Sequence, residues 1–140
     1  MGAKGCTFCP ATFRAGTRSK EAFGQTQLLA LDFDHGISYE DVKGRAERYD
    51  LPILFAYDTY RSKAHDRFRV VFLNDASVPA VRVAGAMLTA LHTVFPDADP
   101  QSKSAVQMYY GGKGLLHYDE SIPEINIESL FLLKYCCMET

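Results

Sequence analysis

Two stretches of the chain, QLLALDFD (27–34) and RFRVVFL (67–73), alternate with a period of two and carry charge on one side. In the first, Leu29, Leu31 and Phe33 share a face, while Ala30, Asp32 and Asp34 share the other. In the second, Phe68, Val70 and Phe72 oppose Arg67, Arg69 and Val71. Segments of this kind fold as strands with one face packed on a core, so the chain must supply a layer to cover that face. The two aspartates at the end of LLALDFDHG need a different explanation, because a core strand gains nothing from like charges two residues apart.

The covering layer is legible on either side of these strands. Ser38 can cap a helix over Tyr39 to Tyr49, with Asp41 three residues later approximating a capping box and Pro52 ending the helical pattern. Pro79 stands in the first turn of a second, apolar helix running to about Val94. PILFAYD (52–58) reads as a strand, TYRSKAHD as a polar loop, and AVQMYY (105–110) as a further strand closed by Gly111-Gly112. The order is therefore β-α-β-β-α-β, an α+β ferredoxin- or RRM-like core whose antiparallel sheet carries both helices on one face. One domain is expected over 1–140, with an irregular lead-in at 1–25, the core at 26–112 and a C-terminal extension at 113–140. The extension is expected to hold a short helix or strand from Glu128 to Cys137. In the usual strand order of that fold the first and third strands are adjacent and central, and the fourth lies beside the first. Asp32 and Asp34 would then share the face away from the helices with Arg67 and Arg69.

Composition narrows the partners. Fifteen Lys and Arg against seventeen Asp and Glu give a net charge of −2, so nucleic-acid contact would need a local basic patch. Apolar runs fall short of the roughly 20 residues of a membrane helix, and the N-terminus has no apolar signal core, so no membrane partner and a cytoplasmic location are expected. Cys6-x-x-Cys9 with Cys136-Cys137 is not a paired CxxC set; it reads as reduced, incidental thiols or as a metal site joining the termini.

Three elements carry chemistry. Asp32-x-Asp34 sets two carboxylates about 6.5–7 Å apart along one strand face, a separation that can bracket one hard divalent cation or two close ones; a solvated strand end is the plain alternative. TYRSKAHDRFRVVF brings Arg61, Ser62, Lys63 and His65 onto a loop that leads into Arg67 and Arg69, a donor set suited to a polyphosphate if not simply solvated. Asp97-Ala98-Asp99 offers a third acid just ahead of the fourth strand, or serves as a turn. His92 reads as a packed or surface residue of its helix and His35 as a turn residue, with His117 carrying little signal. Tyr109 and Tyr110 read as strand residues with a possible stacking role.

Taken in order, LDFDHG, SKAHDRFRVVF and ADPQSKSAVQMYYGG resemble the three motifs of the archaeo-eukaryotic primase family, in particular the primase-polymerase catalytic domains of phage and plasmid elements. The resemblance spans residues 28–112. It implies a nucleotidyltransferase that joins nucleotides on a single-stranded DNA template and primer with two Mg²⁺ or Mn²⁺ ions. Asp32, Asp34 and Asp99 would be the catalytic metal acids, Ala98-Asp99 fitting the hydrophobic-Asp pattern better than Pro96-Asp97. His65 would meet the incoming triphosphate, with Ser62, Lys63, Arg67 and Arg69 as further nucleotide-binding residues. The resemblance also implies nucleoside triphosphates as substrates, host-cell cytoplasm as the setting, and a helicase or primase C-terminal domain in a longer protein. Two departures stand out: the small-x-His spacing admits either Lys63 or Ser62, and Gln107 stands where related elements often carry arginine. The rival readings are a non-catalytic RNA- or single-strand-binding module of the same topology, a replication initiator, and a nucleotide cyclase or polymerase-palm relative. No His-x-His favours the initiator.

Overall fold

The computed structural model describes residues 7–34 and 36–119. His35, Cys6, Cys136, Cys137 and the element expected at 128–137 lie outside the described residues. Strands β1 (Thr7–Phe8) and β2 (Ala11–Phe13) are followed by a short 3-10 turn and the long strand β3 (Phe23–Phe33). Helix α1 (Tyr39–Arg48), β4 (Ile53–Thr59), β5 (Phe68–Val78) and α2 (Val81–Val94) come next. A second 3-10 turn (Pro100–Lys103), β6 (Tyr109–Tyr110) and β7 (Gly112–Tyr118) complete the order.

The main sheet is antiparallel, in the order β2-β3-β5-β4-β7, and with two α-helices among the described residues the fold is α+β. Its centre is the pair anticipated from the alternating segments: β3 against β5, with Asp32 opposite Arg69 and Phe33 opposite Phe68. β3 and β4 flank β5 and run parallel to each other, joined by α1.

The edges differ from expectation. The segment expected as a fourth strand beside the first is reduced to Tyr109–Tyr110, which pairs with Thr7–Phe8 in a separate two-stranded ribbon. The place beside β3 is taken by β2, from the lead-in expected to be irregular, and β7 from the expected extension pairs with β4 at the opposite edge. The reason lies in the residues: Ala11 brings buried apolar surface to β3's edge, whereas 104–108 lead out of a 3-10 turn through Gln107 and Met108.

Local signals account for the helices. Ser38 accepts a hydrogen bond from the Asp41 amide at 3.2 Å, and Val42 and Ala46 bury the inner face of α1. α2 buries Ala84, Leu88 and Leu91. These pack with Leu29, Leu31, Phe33, Phe68, Val70 and Phe72 in one core, with Phe33 stacked on Phe68 at 5.1 Å and edge-on to Phe95 at 6.1 Å. The other face, expected to be uncovered, holds a second core in which the β1–β6 ribbon lays Phe8 and Tyr109 over Leu28, Ala30, Leu54 and Val71. The end of that face where Asp32 and Arg69 stand is polar.

At the β4–β7 edge, Gly112 lies so close that a Cβ there would overlap the Asp58 carbonyl and the Tyr57 ring. Gly44, in α1, has no such neighbour within 4 Å. Gly112→Ala should therefore lower the denaturation free energy by roughly 1–3 kcal/mol through overpacking. Gly44→Ala should raise it by up to about 1 kcal/mol through helix propensity. Urea denaturation of both variants checks the contrast.

Candidate functional site

The polar end of the sheet is built across three neighbouring strands, where pairing aligns Asp32 on β3, Arg69 on β5 and Tyr57 on β4. Arg69 is 6% exposed. Its Nε donates to Asp32 Oδ1 and its Nη2 to Asp32 Oδ2 at 3.0 Å, a two-pronged grip on the carboxylate. Nη1 donates to the Tyr57 hydroxyl at 2.8 Å and to the Tyr110 carbonyl, and the Tyr57 hydroxyl in turn donates to that carbonyl at 2.9 Å. The guanidinium carbon lies 4.6 Å from the centre of the Tyr109 ring and 5.5 Å from that of Tyr57. Burial tends to discharge Arg69, but its bonds to Asp32 and Tyr57 outweigh it and hold its pKa above the ordinary value. Burial raises the Tyr57 phenol to about 12.

The third acid arrives from the α2–β6 connection, and Asp32's own backbone positions it. The Asp99 amide donates to the Asp32 carbonyl at 2.8 Å, and the Asp32 amide donates to the buried Ser102 hydroxyl at 2.9 Å. The Asp99 carboxylate accepts from the Gln101 amide at 3.0 Å and so starts the 3-10 turn. His92, buried on α2, sets one ring nitrogen 2.8 Å from the Leu88 carbonyl and the other 3.2 Å from the Asp99 carbonyl. The packed reading of His92 is the one observed. Burial pushes the Asp32 carboxyl above the usual carboxylate range; Arg69 opposes this, and the charges of Asp34 and Asp99 add to it. Asp97 stands apart, paired with Arg45 of α1 at 3.1 Å.

The basic loop forms a second cluster. Asp58, at the end of β4, alternates with Tyr57 and lies opposite Phe68, which puts it on the other side of the pleat from Asp32. Its Oδ2 is 2.5 Å from His65 Nδ1, and its Oδ1 accepts from the Ser62 hydroxyl at 3.4 Å. Ser62 is buried, its hydroxyl also accepts from the Arg67 amide at 3.2 Å, and its carbonyl accepts from Lys113 Nζ at 2.5 Å. Lys63 is exposed, and its amide donates to Asp66 at 2.6 Å. That bond holds the Asp66 carboxyl below its usual value, so its contribution to loop closure is present above pH 3.8 and fades as pH falls through the lowered value.

Asp34, Asp99 and Arg69 thus each act electrostatically on Asp32, while Ser62 and His65 are organised around Asp58. Among the described residues, no three His, Cys, Asp or Glu side chains gather closely enough to hold a metal ion. Cys9 is buried in the helix-side core. The residues missed in the sequence are Tyr57, Asp58, Ser102 and Lys113. Of these only Asp58 had a signal, an acid ending an apolar strand just before the basic loop. No family model matches the chain, and searches of curated proteins and of solved structures return no match.

Arg69→Met leaves the Asp32 carboxyl without its partner, which should cost about 3–5 kcal/mol of stability. Adding Asp32→Asn should restore most of that loss. A double-mutant cycle by chemical denaturation reads the coupling directly.

Proposed function

We propose that the chain is a metal-dependent nucleotidyltransferase of the primase-polymerase kind, acting on nucleoside triphosphates and a single-stranded DNA template with a primer. The supporting observation is that the charges of Asp34 and Asp99 both act on Asp32, with both backbone groups of Asp32 bonded to the 99–102 segment. An oxygen-only donor set of carboxylates has the chemistry that Mg²⁺ and Mn²⁺ require. In the arrangement described, the Arg69 guanidinium serves as counter-cation for Asp32, and an ion would have to take over that role. Bound there, divalent ions would activate a 3′-hydroxyl and neutralise departing pyrophosphate. Arg69 released from Asp32, together with Lys63, Arg67 and His65, would meet the triphosphate charge.

The RNA-binding rival needs exposed aromatics on the central strands. Phe33, Phe68 and Phe72 are instead buried, at 1%, 0% and 3% exposure. A non-catalytic single-strand binder is favoured by one fact, the commitment of both Asp32 oxygens to Arg69. Primer extension with Mn²⁺ or Mg²⁺ separates the two. Incorporation should vanish in Asp32→Ala, Asp34→Ala and Asp99→Ala and under chelation, and should persist in Asp97→Ala. Template binding without incorporation by the wild-type chain would support the non-catalytic reading instead.

A further inference from the structure

In the loop cluster an exposed histidine meets a buried carboxylate: the side chains of His65 and Asp58 are 70% and 8% exposed. The histidine belongs to a motif; the aspartate does not. Ala64 and His65 both adopt left-handed backbone conformations, with φ of 54° and 64°, which non-glycine residues take only when their surroundings hold them there. What holds this loop is a closed set of bonds. Thr59 and Arg67 pair across its base at 3.1 Å, Ser62 and Asp66 close turns at 3.0 and 3.2 Å, and Lys113 of β7 ties down the Ser62 carbonyl. At the centre stands the Asp58 carboxylate, with one oxygen on Ser62 and the other 2.5 Å from His65 Nδ1.

A carboxylate at Nδ1 fixes both the proton and the ring. Nδ1 carries hydrogen and donates it to Asp58, so Nε2 is the nitrogen left to face solvent. In the neutral ring Nε2 can only accept. With hydrogen on both nitrogens, the ring donates to the Asp58 carboxylate on one side and to an oxyanion on the other. The arrangement therefore favours a phosphate oxygen at Nε2 over a neutral donor.

We propose that Asp58 is a positioning residue for nucleotide binding: it fixes the His65 ring through Nδ1 so that Nε2 is presented to the triphosphate. The inference rests on the nucleotidyltransferase reading and adds to it a residue that touches neither nucleotide nor metal. Asp58 acts on binding alone, so its removal and that of His65 should raise the same quantity and should not add.

The test compares wild type, Asp58→Asn, Asp58→Ala, His65→Ala and the Asp58→Ala/His65→Ala double variant. Primer extension is followed over a range of nucleoside triphosphate concentrations, alongside ¹⁵N spectra of the His65 ring. A charge-assisted hydrogen bond of this kind corresponds to about a tenfold or larger effect. The apparent KM should therefore rise about tenfold in Asp58→Ala and in His65→Ala, with kcat little changed and no further rise in the double variant. Asp58→Asn, which keeps the shape and an acceptor for Nδ1, should lose less. The spectra should show the Nδ1–H tautomer in the wild type and its loss in Asp58→Ala. An unchanged KM in both Asp58 variants of an active protein, or a wild-type tautomer in Asp58→Ala, overturns the inference and leaves the activity standing. A wild-type chain that neither incorporates nor binds nucleotide overturns the parent reading, and the inference falls with it.

Discussion

The grip of Arg69 on Asp32 is the constraint on which the rest of this molecule turns. A guanidinium 6% exposed cannot remain in a sheet without an anion, and an aspartate in that setting cannot remain charged without a cation. Each residue accounts for the other. Around the pair, the Tyr57 hydroxyl and the Tyr110 carbonyl take further guanidinium hydrogens, and the Tyr57 and Tyr109 rings supply an electron-rich surface. The network links β3, β5 and β4 to the β1–β6 ribbon, so the polar site also helps to seat the second core.

The same interaction connects fold with chemistry. An ion pair between cross-strand neighbours requires β3 and β5 in register, and a slip by one residue would send Asp32 and Arg69 to opposite faces. With register fixed, Asp34 follows just past the end of β3, where its charge acts on Asp32, and the backbone of Asp32 is left to bind the segment carrying Asp99. Acids distant in sequence are thereby collected by backbone bonds before any ligand arrives.

The centre of the fold was legible because period-two alternation is a local signal that survives into the structure. Leu29, Leu31 and Phe33, and Phe68, Val70 and Phe72, pack beneath the helices as their spacing implied. The Ser38 cap could likewise be anticipated from neighbouring residues. The edges could not, because edge pairing is a competition among short segments of similar propensity. Thr7–Phe8, Ala11–Phe13 and Tyr109–Tyr110 are too short to show a period, and their places depend on which leaves least apolar surface exposed. Asp58 went unseen for a related reason. Its importance comes from burial beside His65, and a strand-ending aspartate carries no mark of burial in the sequence.

The central claim is that Asp32, Asp34 and Asp99 form one electrostatic site able to exchange a guanidinium for divalent cations. Titration of Mn²⁺ into the chain, followed by the loss of the free-ion electron paramagnetic resonance signal, tests it without reference to any reaction. The account predicts saturable binding that weakens in each of Asp32→Asn, Asp34→Asn and Asp99→Asn and persists in Asp97→Asn. Binding that is absent from the wild type, or indifferent to all three substitutions, would contradict it.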